Sequence, residues 1–333
     1  MNILYLPCHS TLEYDEVKLF TDMGHSVFSM HGAYFNPTTP SDPKRPAIDA
    51  SIQQQLMDVA AQCTKDDLHQ ELIDWADIIY VMHLDQWITN NWKKIKNKHV
   101  IWRTIGQSVP QIESRLALSR VEGLKIVRYS PREESIMGYL GADAVIRFYK
   151  DENEFCGWNG DINEVITVAQ SMKRRGEHCG YDVFNNATSR FPRKIFGPQN
   201  EDSGCDGGQL SYDELKDVYR NHRAYFYTGT YPASYTLNFI EAFMTGIPIV
   251  AIGNDIANLA DYKLDGYEVH KIIENGVNGF WSDDIKELGD YVEKLLGDKD
   301  LAKEIGDKGR QMAISLFGKE TIKQQWEDFF KTL

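Results

Sequence analysis

Short apolar runs recur along this chain with helix-period stretches between them, and that alternation constrains the fold class before any motif is considered. In the first half the runs are Ile3–Leu6, Val27–Met30, Ile78–Met82, Val100–Trp102, Ile126–Tyr129 and Ala144–Phe148. Tyr14–Met23 carries Val17, Leu19, Phe20 and Met23 at helical spacing and stops at Gly24; Arg132–Leu140 reads the same way and stops at Gly141. Strands separated by helices pair in parallel, and the helices cover the sheet. Lys150–Asn163 is polar, contains glycine and has no period, so it reads as a linker. A second series follows at Val165–Val168, Lys194–Phe196, Ala224–Tyr227 and Ile247–Ile252. The expectation is an α/β chain of two Rossmann-like, doubly wound domains facing a cleft. Their bounds are residues 1–150 and 151–316, with 317–333 as a C-terminal helix carrying Ile322, Trp326, Phe329 and Phe330. Ligands of such sheets bind beyond the carboxyl ends of the strands.

The 333 residues suffice for two domains of ordinary size. No apolar run approaches the ~18 residues of a membrane span. The start, MNILYLP, enters a strand pattern at once and is too short for a signal peptide. Five scattered cysteines, none in a Cys-x-x-Cys pair, indicate neither a disulfide framework nor a zinc ribbon. A reducing, cytoplasmic location is expected. The net charge of -13 is uneven: Lys93–Arg132 holds ten basic residues against Glu113 and Glu122 alone. That segment reads either as a solvated face or as a surface for an anionic acceptor such as nucleic acid or a phospholipid headgroup.

One segment carries chemistry. In NFIEAFMTGIPIVAIG, Asn238–Gly253, a helix closed by Gly246 leads through a Gly-Ile-Pro turn to a buried strand, and Glu241 is its lone charge. An unpaired buried carboxylate is costly, so it needs a partner. A ligand bearing hydroxyls would be one. Amide groups at Leu237 and Asn238, where the helix begins, attract a phosphate. Glu241, one turn further on, is placed for the ribose of the same nucleotide. The plainer reading is a core helix with Glu241 at its rim.

The stretch Glu241-Ala242-Phe243-Met244-Thr245-Gly246-Ile247-Pro248-Ile249-Val250-Ala251 resembles the donor-site helix of retaining, family-4-type glycosyltransferases of the GT-B kind. Gly208-Gln209-Leu210-Ser211 through Tyr219, and Glu274-Asn275-Gly276-Val277-Asn278-Gly279-Phe280, are similar to two further stretches of that family. Ser211 with Glu214 also makes a capping box, which explains its spacing without function. Gly276 and Gly279 suit backbone with positive φ.

The resemblance implies transfer of a sugar from a nucleotide-diphosphate sugar, UDP-sugar favoured, to a hydroxyl, with retention of anomeric configuration. It implies that the last helix crosses back to the first domain. Donor-side candidates are Glu241, Ser234, Tyr235, Thr236, Leu237 and Asn238, with Lys173, Arg174 and Arg175 in the loop after the first strand of the second domain. Arg175 occupies the family's Lys position and is a catalytic candidate, because negative charge on the departing phosphate needs a cation or a helix end. Two departures stand out. Gln170 falls near the family's Arg, and Ala233 replaces the family's first Glu, which contacts the donor sugar; Ser234 or Tyr235 are possible substitutes.

In the first domain His83, after the strand Ile78–Met82, is the second catalytic candidate, with Asp85 a weaker one. Ser10, Arg103 and Gln107 are acceptor-side candidates. Acceptors consistent with the basic segment 93–132 include hydroxymethylated bases of phage-type DNA; a membrane lipid or a soluble sugar are others. No tightly bound cofactor and no metal are expected, since Asp298-Lys299-Asp300 reads as an acidic helix start. No carboxylate pair of the glycoside-hydrolase kind stands out. Two further readings fit the same scaffold: a non-catalytic nucleotide-sugar binder, suggested by Ala233 and Gln170, and a nucleotide-sugar epimerase.

Overall fold

The computed structural model describes residues 1–30, 50–258 and 264–333. They form two compact units, Met1–Phe148 with Ile322–Leu333, and Tyr149–Thr321.

The first unit holds a parallel sheet of six strands: β1 Asn2–Leu6, β2 Ser26–Ser29, β3 Ile78–Met82, β4 His99–Arg103, β5 Lys125–Arg128 and β6 Ala144–Val145. The order is β2-β1-β3-β4-β5-β6. Ile3 pairs with Ile78, and Ile78 in turn with His99. β3 is buried from end to end, which suits a central parallel strand covered on both faces and explains its unbroken apolar run. The last helix, Lys319–Phe330, gives its residues from Ile322 onward to this unit. Trp326 sits with its ring 5.1 Å from Phe20 and 5.7 Å from Tyr80. Truncating an aromatic packed in this way costs on the order of 3–5 kcal/mol.

The same core contains charges. Arg103 Nε donates to Glu16 Oε1 at 3.0 Å, and the Tyr5 and Tyr80 hydroxyls donate to Glu16 Oε2. Arg128 pairs with Glu113 through two hydrogen bonds, at 2.6 and 2.9 Å. Both guanidinium groups are fully buried.

In the second unit β7 Ile162–Val168, β8 Arg193–Phe196, β9 Asp206–Gly208, β10 His222–Tyr227, β11 Ile249–Ile252 and β12 Phe280–Ser282 form a parallel sheet in the order β12-β11-β10-β7-β8-β9. The Leu237–Thr245 helix follows β10, and Gly246 ends it with φ 91°. The Lys299–Phe317 helix closes onto that end because Gly306 has no side chain: a Cβ there would lie 2.1 Å from the Gly246 carbonyl oxygen.

Several expectations need correction. Arg132–Leu140 is not an α-helix. Ser130 caps a single 3-10 turn, Pro131–Ser135, and Ile136 is extended, so the chain leaves before a second turn forms. The expected strand at Ile247 begins at Ile249, because Pro248 has no N–H and offers only its carbonyl, to Tyr225 N. The linker ends sooner than expected, since Ile162 already opens β7. β9 and β12 were not foreseen; each has three residues, too few for a period. Gly276 has φ 76°, but Gly279 does not lie in the left-handed region. Glycine is needed at Gly279 for room instead: a Cβ would stand 3.2 Å from the Ile249 carbonyl oxygen.

Candidate functional site

In each sheet the strand order reverses once, between β1 and β3 in the first unit and between β7 and β10 in the second. Such reversals leave a crevice at the carboxyl ends of the strands, where ligands of this fold class bind. In the second unit the Leu237–Thr245 helix starts at that point. Its N-cap Thr236 does not cap it: the hydroxyl donates to Asn238 Oδ1. Thr236 is itself held by the Tyr227 hydroxyl, which accepts from its N–H at 3.0 Å. Asn238 Nδ2 donates to the Val168 carbonyl at 2.6 Å and ties the helix start to the end of β7. No hydrogen bond among the described residues uses the Leu237 and Asn238 amides. The first turn therefore keeps two donors and the positive helix end for an anion.

Beside it runs the loop after β7. Ser171 is in the left-handed region at φ 49°, and its hydroxyl donates to Gln199 Oε1 at 2.6 Å. Asn200, fully buried, holds the loop from below: its amide donates to the Ala169 and Gly197 carbonyls and its carbonyl accepts from Met172 N. Sequence reasoning missed Asn200, because nothing in Pro198-Gln199-Asn200 sets it apart from a surface turn. Lys173 reaches the Asp202 carbonyl at 2.6 Å, and Arg174 donates to Ser171 Oγ and Gln199 Oε1. Arg175 is exposed and takes part in no ion pair among the described residues; Gln170 is also exposed. Of the three cations expected here, Arg175 is thus the one whose side chain makes no hydrogen bond or ion pair among the described residues.

Three donor-side expectations change. Ser234 and Tyr235 are 1% and 2% exposed, so neither side chain is presented to a sugar. Tyr235 packs on Phe317 with ring centroids 5.4 Å apart. Glu241 is not at a rim. It is 4% exposed, its Oε1 lies 2.8 Å from Lys150 Nζ, and the Tyr219 hydroxyl donates to its Oε2 at 3.5 Å. The partner that a buried carboxylate needs is supplied by the chain itself.

In the first unit His83 stands at the end of β3 with φ 60°. Its N–H donates to the Arg103 carbonyl and its carbonyl accepts from Trp102 Nε1, both at 2.9 Å. The ring Nδ1 is buried and has no partner among the described residues. Burial pushes the imidazole pKa below its usual 6.5, with Asp85 opposing, so the ring is neutral near pH 7. Asp85 is engaged elsewhere, in a two-bond pair with Arg115 at 2.6 and 3.0 Å. Ser10 lines a pocket of about 390 Å³ at the end of β1, with His9, Glu13 and Lys65 around it. Gln107 is exposed in the loop after β4. Arg103 is not an acceptor contact, being fully buried against Glu16.

The basic segment is corrected too. Besides Arg103 and Arg128 in the core, Lys94 pairs with Asp67, Lys96 with Glu122, Arg115 with Asp85, and Arg120 and Lys125 with Asp143. Lys98 donates to the Asp74 and Ala76 carbonyls. Four acidic residues from outside the segment, Glu16, Asp67, Asp85 and Asp143, thereby offset half of the excess of eight that the linear count registers. Among the described residues no group of His, Cys, Asp and Glu is arranged to hold a metal ion, and no helix is long and apolar enough to cross a membrane.

No protein-family model and no curated protein matches the chain. Solved structures match it end to end. Sucrose-phosphate synthase from Thermosynechococcus elongatus aligns with a TM-score of 0.69 at 13% identity, over 100% of this chain and 98% of that one. HepE from Anabaena in complex with UDP-glucose aligns with a TM-score of 0.67 at 16% identity, over 100% of both chains. An alpha-glucosyltransferase in complex with UDP-glucose and DNA containing an abasic site aligns with a TM-score of 0.62 at 13% identity, over 99% of both. At such identities the likeness establishes the fold: two Rossmann-like units of the GT-B glycosyltransferase kind.

Proposed function

We propose that this protein is a glycosyltransferase that moves a sugar from a nucleotide-diphosphate sugar to a hydroxyl acceptor, with retention of configuration and with UDP as the favoured nucleotide. The observation that carries this reading is the helix start at Leu237 and Asn238, whose amides are unused at the strand-order reversal of the second sheet. A diphosphate fits the charge and the donor geometry of that turn. Arg175, exposed in the segment after β7, the strand to whose end Asn238 ties this helix start, supplies the positive charge that a departing phosphate needs. UDP-glucose accompanies two of the similar structures, which favours UDP over other nucleotides.

His83 is the proposed acceptor-side residue: its neutral imidazole, half-buried after the end of β3, can exchange a hydrogen bond with a sugar hydroxyl. Retention follows if the leaving phosphate takes the acceptor proton on the same face, a route that asks for no enzymic carboxylate pair. The acceptor is a hydroxyl-bearing molecule near the Ser10 pocket. DNA remains an acceptor to test because of the complex named above, but the ion pairs of residues 93–132 do not support binding through that segment.

Gln170 and Ala233 favour a second reading, a nucleotide-sugar binder without turnover. Thermal unfolding with UDP, GDP, ADP, CMP and dTDP, followed by turnover of the matching nucleotide sugar, separates the two. A ligand at about 100 times its Kd adds roughly 2.7 kcal/mol of stability. One nucleotide should raise Tm by several degrees, and Arg175→Ala should abolish most of the shift. No shift with any nucleotide would overturn the proposal; a shift without any sugar release would favour the binder.

A further inference from the structure

Position 233, where the resembling family carries a carboxylate, holds alanine, and the neighbouring Ser234 and Tyr235 are buried. A carboxylate is nevertheless present on the other side of the same loop. Tyr231 N donates to the His178 carbonyl at 2.9 Å, so the 228–236 loop rests against the segment Glu177–Gly180. Between them lies a pocket of about 100 Å³, lined by Glu177, His178, Asp182, Thr228 and Tyr231, with Ile252 among its apolar residues. Gly180 is part of the wall. It sits at φ 63°, and a Cβ there would stand 2.8 Å from Thr228 Cβ, so the Tyr181–Thr188 helix can start this close to β10 only from glycine. The Thr228 hydroxyl donates to the Cys179 carbonyl and fixes the approach.

We infer that this pocket takes the transferred sugar ring, and that Glu177 and Asp182 accept hydrogen bonds from its hydroxyls, in place of a side chain at position 233. The inference rests on the nucleotide-sugar reading above. Thr228 and Tyr231 of the pocket wall open the loop that leads to the Leu237 and Asn238 amides, so one loop would hold the sugar at its start and the diphosphate at its end. Two carboxylates repel phosphate, which disfavours the diphosphate itself in the pocket. Carboxylates only accept hydrogen bonds. A hexosyl group offers a hydroxyl on most ring carbons, whereas a pyrimidine base presents mainly carbonyl oxygens. Ile252, Ile256 and Val183 give the apolar wall on which the C–H face of a ring can lie. The same two charges select a neutral sugar over a uronic acid or a phosphorylated one.

The test is the binding of UDP, UDP-glucose and UDP-glucuronate by calorimetry to the wild-type chain, Glu177→Gln and Asp182→Asn. Glu177 is exposed and Asp182 lies in the first turn of its helix, so both isosteric changes leave the core alone. Wild type should bind UDP-glucose more tightly than UDP, and UDP-glucuronate at least tenfold more weakly than UDP-glucose. Glu177→Gln should cut the advantage of UDP-glucose over UDP by about tenfold, about 1.4 kcal/mol, while UDP affinity is unchanged. Asp182→Asn should act in the same direction. An undiminished advantage in both variants, or equal binding of UDP-glucuronate, would overturn the inference. Equal weakening of UDP itself would place the nucleoside in this pocket and also overturn it. No UDP binding by wild type would overturn the reading on which it rests.

Discussion

Lys150 Nζ lies 2.8 Å from Glu241 Oε1, and both side chains are almost wholly excluded from water. The ammonium also faces the rings of Phe155 and Tyr212, at 5.5 and 5.9 Å. The one charge of the Leu237–Thr245 helix is therefore answered from the segment expected to be a solvated linker. Removing one partner of a buried pair leaves the other charge uncompensated, at about 3–5 kcal/mol. Lys150→Met should lose that much stability in urea unfolding. Lys150→Met combined with Glu241→Leu should recover most of it, because the orphaned carboxylate is gone. A single substitution that costs no more than a surface change would show the pair to be dispensable.

Glu241 shows where the sequence was legible and where it was not. The helix, its Gly246 stop and the strand after it followed from periodicity and turn chemistry, which are local. So did the Ser211–Glu214 capping box and Asp298, whose carboxylate accepts from Leu301 N. Lys150 is ninety-one positions from Glu241, and no local pattern joins them. The same limit applied to residues 93–132. Counting charge along the chain cannot register that Arg103 and Arg128 turn inward to Glu16 and Glu113, or that Asp143 answers two cations at once. His83 was found from its place after a strand, but its left-handed backbone was not, since histidine carries no signal for it.

The paired cations of that segment imply weak and shallow binding to nucleic acid. A protein that neutralises many phosphates loses affinity steeply with salt, with a slope near -0.9 per phosphate contact. Gel-shift titrations across about 50 to 200 mM salt should give a slope far shallower than the ten basic residues of the segment would produce if all were engaged. A slope near the full count would mean that the ion pairs open on binding.

Glu133 makes the stability of the fold fall as pH rises from mildly acidic to neutral. It is buried, the Thr104 hydroxyl donates to it, and burial pushes its carboxyl up to about 7, against the pull of Arg128. Its folded pKa is raised above the unfolded 4.5, so the proton is held more tightly in the folded state. The stability this adds is full below the unfolded value and is lost as pH rises through about 7. Glu133→Gln, which keeps the neutral shape, should flatten the fall in stability between roughly pH 4.5 and 7.5, and the gap above that window should reach the order of kcal/mol. Parallel curves for the two proteins would mean that Glu133 is ionised throughout.

His83 works in the opposite sense, and its two properties can be separated. Burial depresses the folded pKa below 6.5, so its contribution to stability is present above that value and is lost as pH falls through the folded pKa. His25 and His222 are depressed too, so the wild type should weaken below pH 6.5 for several reasons, and only the difference from a variant isolates His83. Asparagine tolerates the left-handed backbone that φ 60° demands, whereas valine does not. His83→Asn should therefore fold with little loss near neutral pH and show a smaller acid drop, while His83→Val should lose about 1–3 kcal/mol at every pH. Should the ring meet the acceptor as proposed, His83→Asn would keep nucleotide affinity and lose turnover by about tenfold, the worth of one hydrogen bond to the acceptor. Unchanged turnover in that variant would confine His83 to holding the end of β3.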